Sequence, residues 1–252
     1  MFSRAVIDHW MPGAAATAAA AGSPDETVVV IDPALSDSRG LSVLTLPDAR
    51  AILTLTPHWA HTLGVAVGDI LDTSRIDDRL RVAGVPLNDP DALHYLPSGT
   101  TRSGTTRSGT APSAASDDRR STRRLTGEDA DAFAGFAAAA PADDLDEAFV
   151  ELDHWLAYGT FVDGELVAAA SAYPWAGSLL ADIGVITLPA SRGRGLGRDT
   201  VRAISAAARA LGHEPQYRCQ LDNAASVALA EAAGFVHFGQ WRVILPAADS
   251  TA

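Results

Sequence analysis

Residues 190–201 read ASRGRGLGRDTV and hold three glycines and three arginines. The chain around them is acidic, with a formal net charge of −12. Glycine lets a backbone turn sharply and lets a ligand approach its N–H groups closely. A strand that ends at Pro189 and a helix that begins by about Gly195 would put Gly193, Gly195 and Gly197 at the helix start. The first turn of a helix carries N–H groups without intrahelical acceptors and the positive end of the helix dipole. That combination is an anion site, most naturally for phosphate. Arg194, Arg198 and Arg202 follow at a spacing of four and are expected to line one helix face. Three kinds of phosphate binder use such a loop. A P-loop needs a lysine after its last glycine, and all 19 basic residues of this chain are arginine. A dinucleotide fingerprint needs G-x-G-x-x-G after a first strand and an acidic residue about twenty positions on. The spacing here is G-x-G-x-G, and only Glu214 could serve as that acid. The third is coenzyme A, whose pyrophosphate fits a short glycine loop.

The elements that must position this loop are legible on either side of it. TRRLT reads as a strand, and Thr126 caps a helix through GEDADAFAGFAAAA with Asp129 closing a capping box. DDLDEAFVEL is a second, shorter helix. WLAYGTFV and ELVAAASAY are strands joined by Asp163-Gly164, a tight-hairpin signal. LLADIGVITL is a third strand, ended by Pro189, and LGRDTVRAISAAARALG is the helix behind the loop. A strand PQYRCQL, a helix NAASVALAEAAG and a last strand through FVHFGQWRVIL follow. The order β-α-α-β-β-β-α-β-α-β predicts an α/β (α+β) fold, a mixed, mostly antiparallel sheet flanked by helices.

Upstream, SGTTRSGTTRSGTAPSAASDD repeats the pentad TTRSG at 100–104 and 105–109 and reads as a flexible linker over 98–118. It divides the chain into a smaller α/β part, 1–97, and a part over 119–246 with a tail at 247–252. In the N-terminal part ETVVVID reads as a strand, and LSVLTL and AILTLT, separated by PDAR, as a hairpin. DTSRIDDRLRVAG reads as a helix capped by Thr73 or Ser74. GAAATAAAAG lacks the basic lead and leucine core of a signal peptide and reads as an alanine-rich helix or flexible lead-in. His58 and His61 sit three apart, but no third ligand of suitable spacing is near, so the structural reading is preferred and no metal is expected.

The charge balance, 31 acidic against 19 basic residues, argues against a general nucleic-acid or anionic-membrane binder. The one cysteine, Cys219, excludes an internal disulfide and points to a reducing cytoplasm. High alanine with arginine in place of lysine fits a bacterial genome of high GC content. The sequence is silent on oligomeric state.

TLPASRGRGLG followed by NAASVALAEAAGF resembles the GNAT superfamily of acyl-CoA-dependent N-acetyltransferases. The family loop, Arg/Gln-x-x-Gly-x-Gly/Ala, is matched by Arg192, Gly195 and Gly197. The downstream Asn that opens a helix ending in Gly-Phe is matched by Asn223, Gly234 and Phe235. The resemblance is firm over about 180–237 and extends by element order over 120–245. The N-terminal part suggests a degenerate half-domain of the same kind. The resemblance implies that Gly193, Arg194, Gly195, Leu196, Gly197 and Arg198 offer N–H groups and charge to the pyrophosphate of acetyl-CoA. It implies that Val185, Ile186 and Thr187 pair with the pantetheine arm like an added strand and that Asn223 bonds that arm. The reaction implied is acetyl transfer from a thioester to an amine of a small molecule or peptide.

That reaction needs an oxyanion donor, expected from a strand N–H near Ile186–Leu188 and worth about 3–4 kcal/mol. It needs a neutral amine, for which Glu151 and Asp182 are the candidate proton acceptors. It also needs an acid for the departing thiolate. Many family members carry a tyrosine seven residues after the Asn; here that position is Ala230. Tyr217, Cys219 or water would have to serve, and a CoA-binding sensor or pseudoenzyme without turnover is the alternative. Trp155, Tyr158, Tyr173 and Trp175 are candidates to shape an acceptor pocket, although aromatics on a hairpin are more often core.

Overall fold

The structure, a computed structural model, describes residues 1–12, 23–36, 40–99, 120–175 and 177–245. The TTRSG repeats and the alanine-rich stretch at 13–22 lie outside the described residues, as do the expectations placed on them. Two compact units interleave along the chain. The N-terminal unit gathers Arg4–His94, Arg218–Ala224 and His237–Ala252. The glycine-loop unit gathers Met1–Ser3, Tyr95–Tyr217 and Ala225–Val236.

The N-terminal unit contains α1 (Arg4–Trp10), β1 (Glu26–Ile31), β2 (Leu41–Thr45), β3 (Ala51–Leu55), α2 (Pro57–Leu63), β4 (Ile70–Asp72), α3 (Thr73–Val82) and nearly all of β5 (Asp91–Tyr95). The expected hairpin forms between β2 and β3, with Thr45 opposite Ala51. β3 also pairs in parallel with β1, whose other edge takes β4 antiparallel. Val29, Leu41, Leu53 and Leu55 from the sheet pack with Leu63 of α2 and Ile76 and Leu80 of α3. The cap of α3 is Asp72, whose carboxylate accepts from the Ser74 N–H at 2.9 Å, and not Thr73 or Ser74. Both of those lie inside the first turn, where the Thr73 hydroxyl pairs with that of Thr27 and the Ser74 hydroxyl donates to Asp72. His58 and His61 sit exposed on α2, and no group of three metal-ligating side chains occurs among the described residues.

The glycine-loop unit is a sheet in the order β6-β7-β8-β9-β10, with β6 at Arg120–Arg124, β7 at Leu156–Val162, β8 at Glu165–Pro174, β9 at Leu180–Thr187 and β10 at Glu214–Gln220. The last three residues of β10 belong to the N-terminal unit. β6 through β9 pair antiparallel, and β9 pairs with β10 in parallel. The turn between β7 and β8 places Asp163 at φ 53° and Gly164 at φ 86°, the doubly left-handed turn that suits the twist of a hairpin. α4 (Ala130–Ala139) and α5 (Ala142–Ala148) lie on one face, where Phe136 packs with Leu125, Phe161, Ala169 and Ile186. The capping box forms as expected: the Asp129 carboxylate accepts the Thr126 N–H at 2.9 Å, and a one-turn 3-10 segment precedes α4. The Arg123 guanidinium grips the same carboxylate through both oxygens and, with the Thr126 N–H, holds its pKa down at about 2.

α6 (Leu196–Ala210) covers the opposite face, where Leu196 packs on Val167 and Ala168. A hydroxyl ladder docks it. Thr200 donates to the Leu196 carbonyl at 3.0 Å, so Thr160 must donate to Thr200 at 2.6 Å and Thr122 to Thr160 at 2.8 Å. α7 (Ala224–Ala233) and β11 (Val236–Val243) complete the chain, and β11 pairs antiparallel with β2.

Candidate functional site

The glycine loop begins where β9 ends. A single 3-10 turn at Pro189–Ser191 leads into Gly193 at φ 72° and Gly195 at φ 74°, both in the left-handed region that favours glycine. Gly195 is the residue before α6, and no side chain caps its N–H groups. The N–H groups of Leu196, Gly197 and Arg198 are the ones a helix start leaves without intrahelical acceptors. Gly197 has a different reason to be glycine. A Cβ there would sit 2.6 Å from the Thr187 hydroxyl oxygen, so the helix start abuts the end of β9.

The arginines divide by task. α6 begins at Leu196, so Arg194 lies exposed in the loop, and the expected single face of three arginines is corrected to Arg198 and Arg202 alone. Arg202 donates to the carbonyls of Ala232 at 2.7 Å and Ala233 at 3.2 Å and closes the end of α7. Arg192 donates to the Thr187 carbonyl at 3.1 Å and pairs with Asp144 of α5 at 2.5 Å. Arg198 pairs with Asp199 at 3.1 Å, and Arg120 binds the other oxygen of Asp199 and the Gly195 carbonyl. The one acidic side chain in the first turn of α6 is thus offset by two guanidiniums.

Val185, Ile186 and Thr187 lie on the last stretch of β9. Its registered pairs with β10 run from Leu180–Glu214 to Ile183–Tyr217 and stop there, while pairing with β8 continues to Thr187–Ala168. Among the described residues, no strand pairs with 184–187 on the β10 side. The Leu188 N–H donates to the Val167 carbonyl at 3.0 Å. Alternation along an antiparallel ladder then turns Ile186 toward β8 as well and turns Val185 and Thr187 to the open side. Of the expected oxyanion donors near Ile186–Leu188, only the Thr187 N–H is then on the open side, with that of Val185 two residues before it. Gly184 opens this stretch, and a Cβ on it would collide with the backbone carbonyl of Ala148 at the end of α5.

The two candidate carboxylates have unlike surroundings. Asp182 is 6% exposed. Gln216 donates to one of its oxygens at 2.8 Å and Tyr173 to the other at 3.3 Å, and Tyr95 donates to Gln216 in turn. Register places Tyr173, Asp182 and Gln216 side by side on β8, β9 and β10. Glu151 keeps 48% of its side chain exposed. It lies between α5, which ends earlier than the sequence predicts, and β7. Phe149 turns left-handed at φ 47°, buries Val150 in the core and brings Glu151 to β8, where its N–H donates to the Ser171 hydroxyl at 3.1 Å.

The sequence reading missed His154. Its Nε2 lies 3.3 Å from the Glu151 carboxylate and its Nδ1 lies 2.8 Å from the Ser171 hydroxyl. The rings of Phe149 and Tyr173 flank it at 4.9 and 5.2 Å. Only the short spacing from Glu151 could have pointed to it, and that spacing is common. Tyr217 is buried with its hydroxyl 3.0 Å from that of Ser226 on the first turn of α7, and Ala230 is fully buried on the same helix. Asn223 falls in the N-terminal unit and immediately precedes α7, and Cys219 is buried in the same unit. Trp175 is buried, Tyr158 is half-buried on β7, and Trp155 lies against His213 with tilted rings 4.6 Å apart. No helix among the described residues is long and apolar enough to cross a membrane.

Comparison with known proteins bears on the same stretch. Residues 129–235 match the family model described as Acetyltransferase (GNAT) family. A chain from Novosphingobium aromaticivorans DSM 12444, described as a GNAT-family acetyltransferase, is 23% identical over 64% of this chain and 65% of its own length, with a TM-score of 0.42. This chain therefore spans less than two thirds of that relative. An acetyltransferase of the GNAT family from Colwellia psychrerythraea is 15% identical over 77% of this chain and 76% of its own, with a TM-score of 0.45. A Salmonella typhimurium chain described as an acetyltransferase, with its cofactor acetyl-CoA, is 17% identical over 54% of this chain and 98% of its own, with a TM-score of 0.36. No curated protein matches.

Proposed function

We propose that this chain, which carries a GNAT-family acetyltransferase segment over residues 129–235, moves an acetyl group from acetyl-CoA to the amine of a small molecule or peptide. One observation carries the reading. The edge of β9 is open at Val185 and Thr187 and runs directly into an uncapped, glycine-bounded helix start. An extended pantetheine arm can pair with the first, and the N–H groups of Leu196–Arg198 and the positive end of α6 can receive the pyrophosphate of the second. Acetyl-CoA supplies the activated acyl group. The protein's part is to hold it extended, to give the thioester oxygen an N–H from Val185 or Thr187, and to take a proton from the amine.

Glu151 suits that last role better than Asp182. Its carboxylate is reachable, while both oxygens of Asp182 are already bonded inside the sheet. The acceptor is cationic before it reacts. It gives one proton to Glu151 and becomes neutral, its nitrogen bonds to the acyl carbon as the carbon–sulfur bond breaks, and the second amine proton passes through water to the departing thiolate, which leaves as the thiol. Six carboxylates lie between Asp143 and Asp153 with no arginine among them, and they raise the local concentration of a protonated amine.

Acetyl-CoA should raise the melting temperature, and NADH should not. Gly195→Val should abolish the shift, because a β-branched residue is strained at φ 74° and would crowd the N–H groups. Unimpaired binding by that variant would remove the loop from the site. Ala230, where a tyrosine would be expected, favours a second reading in which CoA is bound without turnover. Thiol release from acetyl-CoA across a panel of amines separates the two.

A further inference from the structure

We propose that His154 and Ser171 are positioning residues that hold Glu151 as the proton acceptor, through a ring of three contacts, two of them hydrogen bonds. This rests on the acetyl-transfer reading above. The Glu151 backbone N–H donates to the Ser171 oxygen at 3.1 Å. The Ser171 hydroxyl lies within hydrogen-bond distance, 2.8 Å, of Nδ1 of His154. Nε2 of His154 lies 3.3 Å from the Glu151 carboxylate, a close polar contact that brings the ring back to the residue where it began. A proton on Nε2 faces that carboxylate, whereas the opposite neutral tautomer would set a lone pair against it. With the proton on Nε2, Nδ1 accepts from Ser171.

The surroundings fix this arrangement. Ser171 is 1% exposed, and His154 retains 12% of its side-chain surface. Phe149 of the α5 terminus packs edge-on against the imidazole and accepts a left-handed backbone to do so. Tyr173 of β8 covers the ring from another side and points its hydroxyl to Asp182 of β9. The groups that face the imidazole are therefore Glu151 from its own segment, Ser171 and Tyr173 from β8 and, behind Tyr173, Asp182. Ser171 is the registered partner of Gly184, the first residue of β9 beyond its pairing with β10. The ring thus stands where the open edge begins.

The test compares the wild type with His154→Phe, His154→Gln and Ser171→Ala. Phenylalanine keeps the ring packing and loses both nitrogens, and glutamine keeps one donor for Glu151. His154→Phe should lower kcat about tenfold to a hundredfold, as misplacement of a reacting group does. The KM for acetyl-CoA should stay constant. His154→Gln should recover part of the loss, and Ser171→Ala should lower kcat in the same way. Nitrogen-15 shifts of the neutral imidazole in the wild type, assigned by difference with His154→Phe, should show the Nε2–H tautomer.

An active wild type with an unchanged kcat in His154→Phe overturns the proposal, as does an Nδ1–H tautomer. A wild type that shows neither a thermal shift nor thiol release with acetyl-CoA overturns the function instead, and the catalytic use of the ring falls with it. The nitrogen-15 readout still decides whether the ring exists.

Discussion

Asp182→Asn separates a carboxylate that holds the sheet together from one that moves a proton. Asp182 accepts two hydrogen bonds in the interior, from Gln216 at 2.8 Å and from Tyr173 at 3.3 Å. Asparagine keeps one acceptor oxygen and turns a donor toward one of those two donors. Gln216 can answer by flipping its amide, but its own oxygen then no longer receives the Tyr95 hydroxyl. In either arrangement a tyrosine hydroxyl can turn to accept from the amide, but its own hydrogen bond to the charged carboxylate network is lost. A hydrogen bond to a charged group is worth about 1.5–3 kcal/mol. A central value of about 2 kcal/mol corresponds to a fall in melting temperature of roughly 4–8 °C for a chain of this size. The assay is a thermal melt with and without acetyl-CoA, paired with initial rates. Asp182→Asn should melt lower and lose activity in proportion to the folded fraction, whereas Glu151→Gln should melt like the wild type and lose kcat by roughly 10²–10⁴. An Asp182→Asn protein of unchanged melting temperature with a kcat lower by two orders of magnitude would refute the reasoning. Asp182 would then be the base, and the buried network an incidental contact.

Two further outcomes follow from the elements that carry the site. Thr160→Val removes the middle of the hydroxyl ladder under α6 and should cost about 1–3 kcal/mol in a urea melt. Because α6 carries the loop, it should also raise the KM for acetyl-CoA more than it lowers kcat. Asp129→Asn removes a carboxylate whose pKa is held at about 2 in the folded chain against an ordinary 3.8. Its stabilisation, about 2 kcal/mol, is present above pH 4 and is lost as the pH falls through 2, so the gap in stability between wild type and variant should narrow over that window.

Much of the glycine-loop unit was legible because its signals are local. The Thr126–Asp129 capping box, the Asp163-Gly164 turn and the order of strands and helices each depend on residues a few positions apart. The glycine-bounded helix start was legible for the same reason, since glycines and a helix boundary set it without help from the rest of the chain. The individual tasks of the arginines were not. Arg192, Arg198 and Arg202 look alike in sequence, and they differ in structure because Asp144, Asp199 and the end of α7 reach them from other segments. The end of α5 was misread because Phe149 carries no helix-breaking signature. Its left-handed turn exists because Val150 gains a place in the core and Glu151 a partner on β8.

By itself, the sequence determined the periodicities, caps and turns that set the elements, and the glycine positions of the loop. Only the tertiary structure decided which carboxylate is buried and which is exposed. Glu151 and Asp182 are equivalent as letters, but strand register sets Tyr173 and Gln216 on either side of Asp182 and sets Ser171 beside Gly184. Register is fixed by which faces are buried across several strands at once, and no window of sequence contains that information. The availability of a proton acceptor is a property of its neighbours, and in this chain those neighbours arrive from strands up to 34 residues away.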